Sequence, residues 1–419
     1  MTAITLKAES PAYGGLSIGR WGGKVVMIKG ALPGEMVEAV IEEEKKDFLV
    51  ASAVKILSPS PDRIEPACAL FGACGGCQFH YIAYPRQVAL KEEVLRDSLK
   101  RIAKIELDLA PSLLHNDPWH YRYRGQFKAD AGKVGFYREK TREVIDIESS
   151  PLMIPEVNEG LARARSIIKD RGGVHPLFDD IRDIHISYGE RTVALLKSSR
   201  QRPGEEHEEQ ASLFMRNGFA GVSIESKDKK VLQHGTPFIT LALAGLRYTV
   251  SALSFFQSHW RLNMTVVKFL KEELQPLRGM RVLDLYAGAG NFSLPLAVDA
   301  AEVIAVEENP YAIKDGKRNA QMNGISNCRF VRASAESFSV KNKAHVLILD
   351  PPRLGLANRT MEKVLALSPG RIAYISCNPS TLARDLRKLL AKYELESVRM
   401  IDFFPQTYHI ESLALLRLR

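Results

Sequence analysis

From about residue 265 to the end of the chain, short apolar runs recur at regular intervals. They are RVLDLYAG, EVIAVEE, CRFVRAS, HVLILDPP, GRIAYIS, SVRMIDFF and IESLALLRL, and helix-like segments separate the early ones. Apolar runs of this length bounded by turn residues predict buried strands, and their alternation with helices predicts a doubly wound, mostly parallel α/β sheet. Only PQTYH separates the last two runs, too little chain for a parallel crossover, so they predict an antiparallel hairpin. After GRIAYI, the stretch STLARDLRKLL has helical periodicity with Ser380 as its expected cap.

Residues 1–57 keep a different rhythm. Strand-like pieces such as GKVVMIKG, EMVEAVIEE and FLVASAVKIL alternate with the Gly-rich turns YGGLSIGRWGG and LPGE, which predicts a small β-barrel. The Pro-rich linker SPSPDRIEP follows, then RQVALKEEVLRDSLKRI, a helix with Val88, Leu95, Leu99 and Ile102 on one face. Between about 110 and 260, strand-like pieces (KVGFY, EVIDIE, IRDIHISYG, TVALLK, AGVSIES, LRYTVSAL) mix with loops and predict a mostly β central domain. The expected divisions are 1–57, 58–264 and 265–419.

Composition narrows the class of partner. Fifty-eight basic against 49 acidic residues give a net charge of +9, which favours an anionic partner such as nucleic acid. WHYRYRGQFK at 119–128 interleaves aromatics with cations; this suits base stacking and phosphate contact, and it equally suits a half-exposed strand. No run is apolar enough to span a membrane and the N-terminus lacks a targeting pattern, so the expected location is cytoplasmic, with no membrane partner. The 5 cysteines are too few for a disulfide scaffold, and Cys68, Cys74 and Cys77 cluster in a way that suggests metal.

The candidate chemistry lies where the predicted strands end, the carboxyl edge at which open α/β sheets bind ligands. Gly288 and Gly290 in VLDLYAGAGNFSLPLA open a strand-to-helix turn, and Glu307 ends the next strand, suited to accepting ribose hydroxyls. Asp284 precedes this turn at a spacing closer to S-adenosylmethionine sites than to dinucleotide sites. DPPRLG at 350–355 ends the fourth strand; Arg353 stands where amine methyltransferases carry an aromatic, which disfavours amine methylation. Cys377 then falls beside the expected cofactor and Asp350. Methylating C5 of a pyrimidine needs a thiolate to add to C6 and a base to remove the C5 proton, and Glu411 on the final hairpin is the candidate base.

These segments resemble the RNA 5-methyluridine methyltransferase family along nearly the whole chain. ISCNPSTLARDL is similar to its nucleophile segment, VLDLYAGAGNFSL to its cofactor loop, LDPPRLG to its acid-Pro-Pro-Arg and FFPQTYHIES to its general-base segment. The resemblance implies a C-terminal Rossmann-like class I methyltransferase domain, and the N-terminal barrel is similar to a TRAM domain of OB type. Carried over by position, it implies Cys377 as nucleophile, Glu411 as base, and Gln257, Tyr286, Asn291, Glu307, Ser334 and Asp350 around S-adenosylmethionine. His259 and Gln406 depart from the family pattern, which has Asn and His there. Cys328 reads as structural.

The cysteine loop also resembles the family's iron-sulfur loop, but Ser150 stands where its fourth cysteine is expected. Three outcomes follow: a cluster on Cys68, Cys74 and Cys77 with a labile or non-cysteine fourth ligand, which is favoured; a zinc site completed by His80; or no metal. The expected function is S-adenosylmethionine-dependent methylation of uridine C5 in structured RNA. The barrel together with the cysteine loop resembles the bacterial 23S rRNA enzymes more than the tRNA enzyme. The alternatives are a tRNA substrate, or a non-catalytic, metal-sensing RNA-binding protein on the same scaffold. A monomer is expected.

Overall fold

Along the first strand, Ile4, Leu6 and Ala8 are buried while Ala3, Thr5 and Lys7 are exposed, the period-two pattern of a sheet with one wet face. In the computed structural model, which describes residues 3–170, 173–339 and 343–419, that strand opens a closed barrel. Its neighbours run in the order Ala3–Ala12, Leu16–Trp21, Lys24–Lys29, Phe48–Ser58 and Met36–Glu44. Closure leaves no edge strand to pair with other chains.

The Pro-rich segment after the barrel is not a free linker. Glu35 from LPGE is fully buried and accepts the Leu32 and Ser60 amides at 2.8 and 3.0 Å and two Arg63 guanidinium bonds at 2.7 Å each. A buried carboxylate persists only when its oxygens are satisfied. The charge on Arg63 and these donors hold Glu35 below the usual carboxylate range although burial acts the other way. The barrel is thereby fixed to the start of the cysteine loop.

The central domain has a seven-stranded sheet in the order Val231–Gly235, Gly221–Glu225, Thr192–Ser198, Ile181–Tyr188, Arg124–Asp130, Lys133–Tyr137, Val144–Asp146. Two helices that the strand pattern did not anticipate, Pro155–Ile168 and Glu205–Arg216, pack on it through Val157, Leu161, Ala164, Ala211 and Phe214. WHYRYRGQFK turns largely inward. Tyr121, Arg124 and Phe127 are buried, and Arg124 donates to Ser187 Oγ and the Ser254 carbonyl at 2.9 Å while its guanidinium lies over Phe256. The segment therefore serves packing more than an exposed nucleic-acid surface.

The C-terminal sheet has the order Cys328–Arg332, Glu302–Glu307, Arg281–Leu285, Val346–Leu349, Arg371–Ser376, Glu411–Leu418, Tyr393–Ile401. The first five strands are parallel and the last pair antiparallel, as the hairpin pattern predicts. Helix Trp260–Glu273 packs on one face through Leu262, Val266 and Leu270. Helix Tyr84–Ser98 and the π-turn Leu99–Ala103 pack on the other, through Val94, Leu95 and Leu99. Helix Trp260–Glu273 crosses the expected division at 264, and the 84–103 segment joins the core of the C-terminal sheet although it precedes the central domain in sequence. Among the described residues no helix is long and apolar enough to cross a membrane.

Candidate active site

Strand register decides which side chains meet. Leu285 pairs with Leu349 and Leu349 with Tyr374, so Tyr286 and Asp350 leave the sheet side by side. On the other flank Ser376 pairs antiparallel with Ser412, so Cys377 emerges one position past the ladder with Glu411 opposite. Insertion of the last strand next to Arg371–Ser376 thus brings together residues 34 positions apart in the chain.

The helix after Cys377 runs from Pro379 to Leu389, and its cap is Asn378 rather than Ser380. Asn378 Oδ1 accepts the Ser380 and Thr381 amides at 3.0 and 3.4 Å. Pro379 occupies the first helical position, where its missing N–H costs nothing. The capped turn holds Cys377 at the strand end, half-buried.

The electrostatics of this corner favour bound protons. Burial pushes the Glu411 carboxyl up to about 8, Asp350 adds to the rise, and Arg353 opposes it. Burial likewise raises the Cys377 thiol to about 11, with Glu411 and Asp350 reinforcing the shift and Arg353 offsetting it. Asp350 itself is raised to about 7 by burial. A cation entering this corner favours the ionised form of all three groups.

The neighbouring turn is shaped for close approach. Tyr286 takes φ 67°, Gly288 φ 56° and Gly290 φ 90°. A non-Gly residue in the left-handed region is strained, and such residues cluster at ligand sites. A Cβ on Gly288 would meet nothing within 4 Å, whereas one on Gly290 would lie 2.8 Å from Phe330 and 2.9 Å from Leu294. Gly288 keeps the backbone open and Gly290 admits the core.

The Gly288 amide donates to Glu307 Oε2 at 2.9 Å, and Glu307 Oε1 accepts the Glu308 and Asn309 amides at 2.9 and 2.7 Å. These bonds hold the carboxylate at the mouth of a cleft of about 650 Å³ lined also by Tyr286, Ser334, Leu354 and Asn358. Asp284 lies behind the turn, fully buried, with Oδ2 accepting from Ser293 Oγ at 2.5 Å and Oδ1 unpartnered.

Two expected residues point elsewhere or stand apart. Asn291 exchanges amide bonds of 2.7 and 3.1 Å with Asn263 on helix Trp260–Glu273, so its side chain braces the turn instead of lining the cleft. Nothing local in the sequence marks Asn263 as its partner. Gln257 is buried just before this helix. His259 caps the same helix, its Nδ1 accepting the Leu262 amide at 3.3 Å while the ring stacks on Tyr121. Cys328 opens the edge strand Cys328–Arg332 and is buried in the apolar core.

Cys68, Cys74 and Cys77 line one chamber with His80, Arg122 and Ser150, so Ser150 does reach the cysteine loop. The Gly76 amide donates to Cys74 Sγ at 3.4 Å. Burial raises the Cys77 thiol to about 12 and lowers His80 to about 4. The His80 ring stacks on Phe71 and meets Trp119 edge-on. Among the described residues, no three or more His, Cys, Asp or Glu side chains are arranged to hold a metal ion. That does not fit a zinc site completed by His80.

Known proteins align with both halves of this architecture. The family described as tRNA (Uracil-5-)-methyltransferase matches residues 83–419, and the TRAM domain family matches residues 3–54. An uncharacterized RNA methyltransferase of Aquifex aeolicus is 36% identical over 99% of both chains. The 23S rRNA (uracil(1939)-C(5))-methyltransferase RlmD of Shewanella amazonensis is 32% identical over 99% of this chain and 96% of its own. The crystal structure of Pyrococcus abyssi tRNA (uracil-54, C5)-methyltransferase in complex with S-adenosyl-L-homocysteine superposes with a TM-score of 0.75. It is 26% identical and covers 98% of this chain and 100% of its own.

Proposed function

The chain belongs to the tRNA (uracil-5-)-methyltransferase family and is an RNA uracil-C5 methyltransferase with a TRAM domain, and from that premise we propose how its residues divide the reaction. The methyl donor is S-adenosylmethionine, the acceptor is a uridine of 23S rRNA, and the reaction passes through a covalent bond between Cys377 and C6. The observation that carries this reading is the convergence of Cys377, Glu411 and Asp350 on one strand edge beside the Tyr286–Glu307 cleft. The family match over 83–419 together with the retained Cys377, Glu411 and Asp350 supports an enzyme over a non-catalytic RNA-binding protein, and uracil-C5 over amine methylation.

The residues present suit the cofactor. The cleft volume, the open backbone at Gly288 and the fixed carboxylate of Glu307 support a nucleoside with ribose hydroxyls. When bound, S-adenosylmethionine supplies an electrophilic methyl on a sulfonium. The residues of the chain do the rest. The Cys377 thiolate adds to C6, which moves the C5–C6 electron pair onto C5 and makes that carbon nucleophilic. After C5 has taken the methyl, the Glu411 carboxylate removes the C5 proton, the double bond re-forms, and Cys377 leaves as thiolate. Asp350, buried at the strand end next to Tyr286, stabilises the positive charge of the sulfonium, and Gln257 contributes its carboxamide to substrate or cofactor. The target base must leave its stack, because C6 is unreachable inside one.

The rRNA assignment rests on full-length similarity to the Shewanella RlmD, barrel included; the tRNA enzyme of Pyrococcus keeps tRNA as the second reading. For an iron-sulfur centre the fit is partial: three thiols and Ser150 share a chamber without the arrangement a single ion needs. A cluster holds its ligands farther apart than one ion does, so the cluster reading stands as a proposal, and no catalytic step passes through it.

The test is covalent trapping. Enzyme, S-adenosylmethionine and 23S rRNA containing 5-fluorouridine are resolved on a denaturing gel beside Cys377→Ala. Fluorine cannot leave C5 as a proton, so a cofactor-dependent shifted band is expected for wild type alone. A band with fluorinated tRNA only would overturn the rRNA assignment, and no band with either would overturn the covalent mechanism.

A further inference from the structure

The loop that delivers Glu411 is buried to an extent unusual for a hairpin connection. Asp402, Phe403, Gln406 and Thr407 are each no more than 2% exposed, and Gln406 holds φ 67°, a left-handed conformation costly for a non-Gly residue. Such a loop persists only if its surroundings over-determine it. The structure shows what does so.

Gln87, fully buried on helix Tyr84–Ser98, donates to Gln406 Oε1 at 2.9 Å and accepts the Gln406 amide at 2.9 Å. The same NH2 group lies 2.8 and 3.1 Å from the carbonyls of Ile82 and Phe79, its two hydrogens shared among the three acceptors, which ties the helix to the end of the cysteine loop. The Gln406 carbonyl in turn accepts the amides of Gln78 and Phe79, both at 3.0 Å, directly after Cys77. One turn along the helix, Lys91 makes a fully buried ion pair with Asp402 at 2.7 Å and donates to the Phe404 carbonyl at 2.9 Å, while Tyr84 Oη donates to Asp402 at 3.0 Å. A buried ion pair contributes little net stability against a well-packed apolar replacement, so its use here is better read as specifying one geometry.

We propose that Gln87 and Lys91 are positioning residues which, with the backbone of the cysteine loop, clasp the 402–407 loop and so set where Glu411 stands relative to Cys377. This rests on the covalent reading above. The step it serves is resolution of the adduct: the Glu411 carboxylate takes the C5 proton, that C–H pair becomes the C5–C6 double bond, and the C6–S bond breaks to return the Cys377 thiolate. Addition and methyl transfer need Cys377 and the cofactor, which stand on other strand ends. Loosening the clasp therefore slows resolution selectively. It also makes the cysteine loop a mechanical neighbour of the general base, since two amides next to Cys77 hold the loop.

The experiment uses the full chain, S-adenosylmethionine and unfluorinated RNA, with Gln87→Leu beside wild type. Methyl transfer is read in a single turnover and resolution by decay of the protein–RNA species on a denaturing gel. Gln87→Leu should transfer methyl within about threefold of wild type yet resolve the adduct at least about tenfold more slowly, so that the covalent species accumulates. A variant that merely weakened folding would slow both steps together, and equal slowing, or no accumulation, overturns the clasp. If Gln87→Leu does not fold by thermal melt, Tyr84→Phe, which removes one hydroxyl from Asp402, should show the same selective slowing by about threefold. Parallel trapping on 5-fluorouridine RNA separates the premises: no trapping by wild type refutes the covalent reading, whereas trapping with normal resolution in both variants refutes only the clasp.

Discussion

Replacing Glu411 by Gln separates the energetic cost of this carboxyl from its catalytic value. In the fold the group is 6% exposed and raised to about 8, against 4.5 for an ordinary glutamate. The sign follows from proton binding. Below about 4.5 both folded and unfolded chains hold the proton, so the group imposes no penalty. As pH rises toward 8 the unfolded chain releases the proton and the folded one keeps it, so stability falls. At 1.36 kcal/mol per unit, the loss is about 3 kcal/mol at pH 7 and about 5 kcal/mol above pH 8.5. Gln keeps the shape and does not titrate. Urea unfolding of both proteins at pH 5 and pH 8.5 should therefore show Glu411→Gln gaining about 3–5 kcal/mol relative to wild type at the higher pH. Asp284, also raised to about 7 and without a direct interaction with Glu411, gives both proteins the same background slope, which the difference removes, whereas Asp350 is coupled to Glu411 and belongs to the difference. Turnover should fall about 10²–10⁴-fold, with the RNA adduct accumulating because nothing removes the C5 proton. Parallel stability curves would refute the assignment of a buried, proton-holding carboxyl at this position.

The two glycines of the cofactor turn should fail differently. Gly290→Ala places a methyl against Phe330, which Gly316 also admits at close range, so stability should drop by about 2–4 kcal/mol in denaturant melts. Gly288→Ala meets no protein atom, so it should cost about 1 kcal/mol of backbone strain and show its main effect in calorimetry as weaker S-adenosylmethionine binding. Ser150→Cys adds a fourth thiol to the cysteine chamber; protein purified anaerobically should then carry more iron and sulfide than wild type, and unchanged content would remove Ser150 from the ligand set.

Much of this protein is written locally. The barrel shows in the alternation of Ile4, Leu6 and Ala8, and the C-terminal strands in runs such as VLIL, because each strand's neighbours determine how its own side chains face. The chemistry of Cys377, Asp350 and the glycine turn is likewise legible, since each sits at a strand end marked by its own turn residues. Helix Pro155–Ile168 was also legible, with Val157, Leu161, Ala164 and Ile168 at helical spacing, but was hidden among strand-like neighbours. Tertiary structure alone decided the rest. That WHYRYRGQFK faces inward depends on Phe256 and Ser187, which lie far along the chain. That Glu411 stands opposite Cys377 depends on the register in which the last strand inserts beside Arg371–Ser376, which only the packed sheet fixes. The clasp joins Gln87 to Gln406 across 319 positions. Hydrophobic periodicity reports which side of an element is buried and says nothing about what it is buried against, so such long-range polar pairs exist only once the elements have packed.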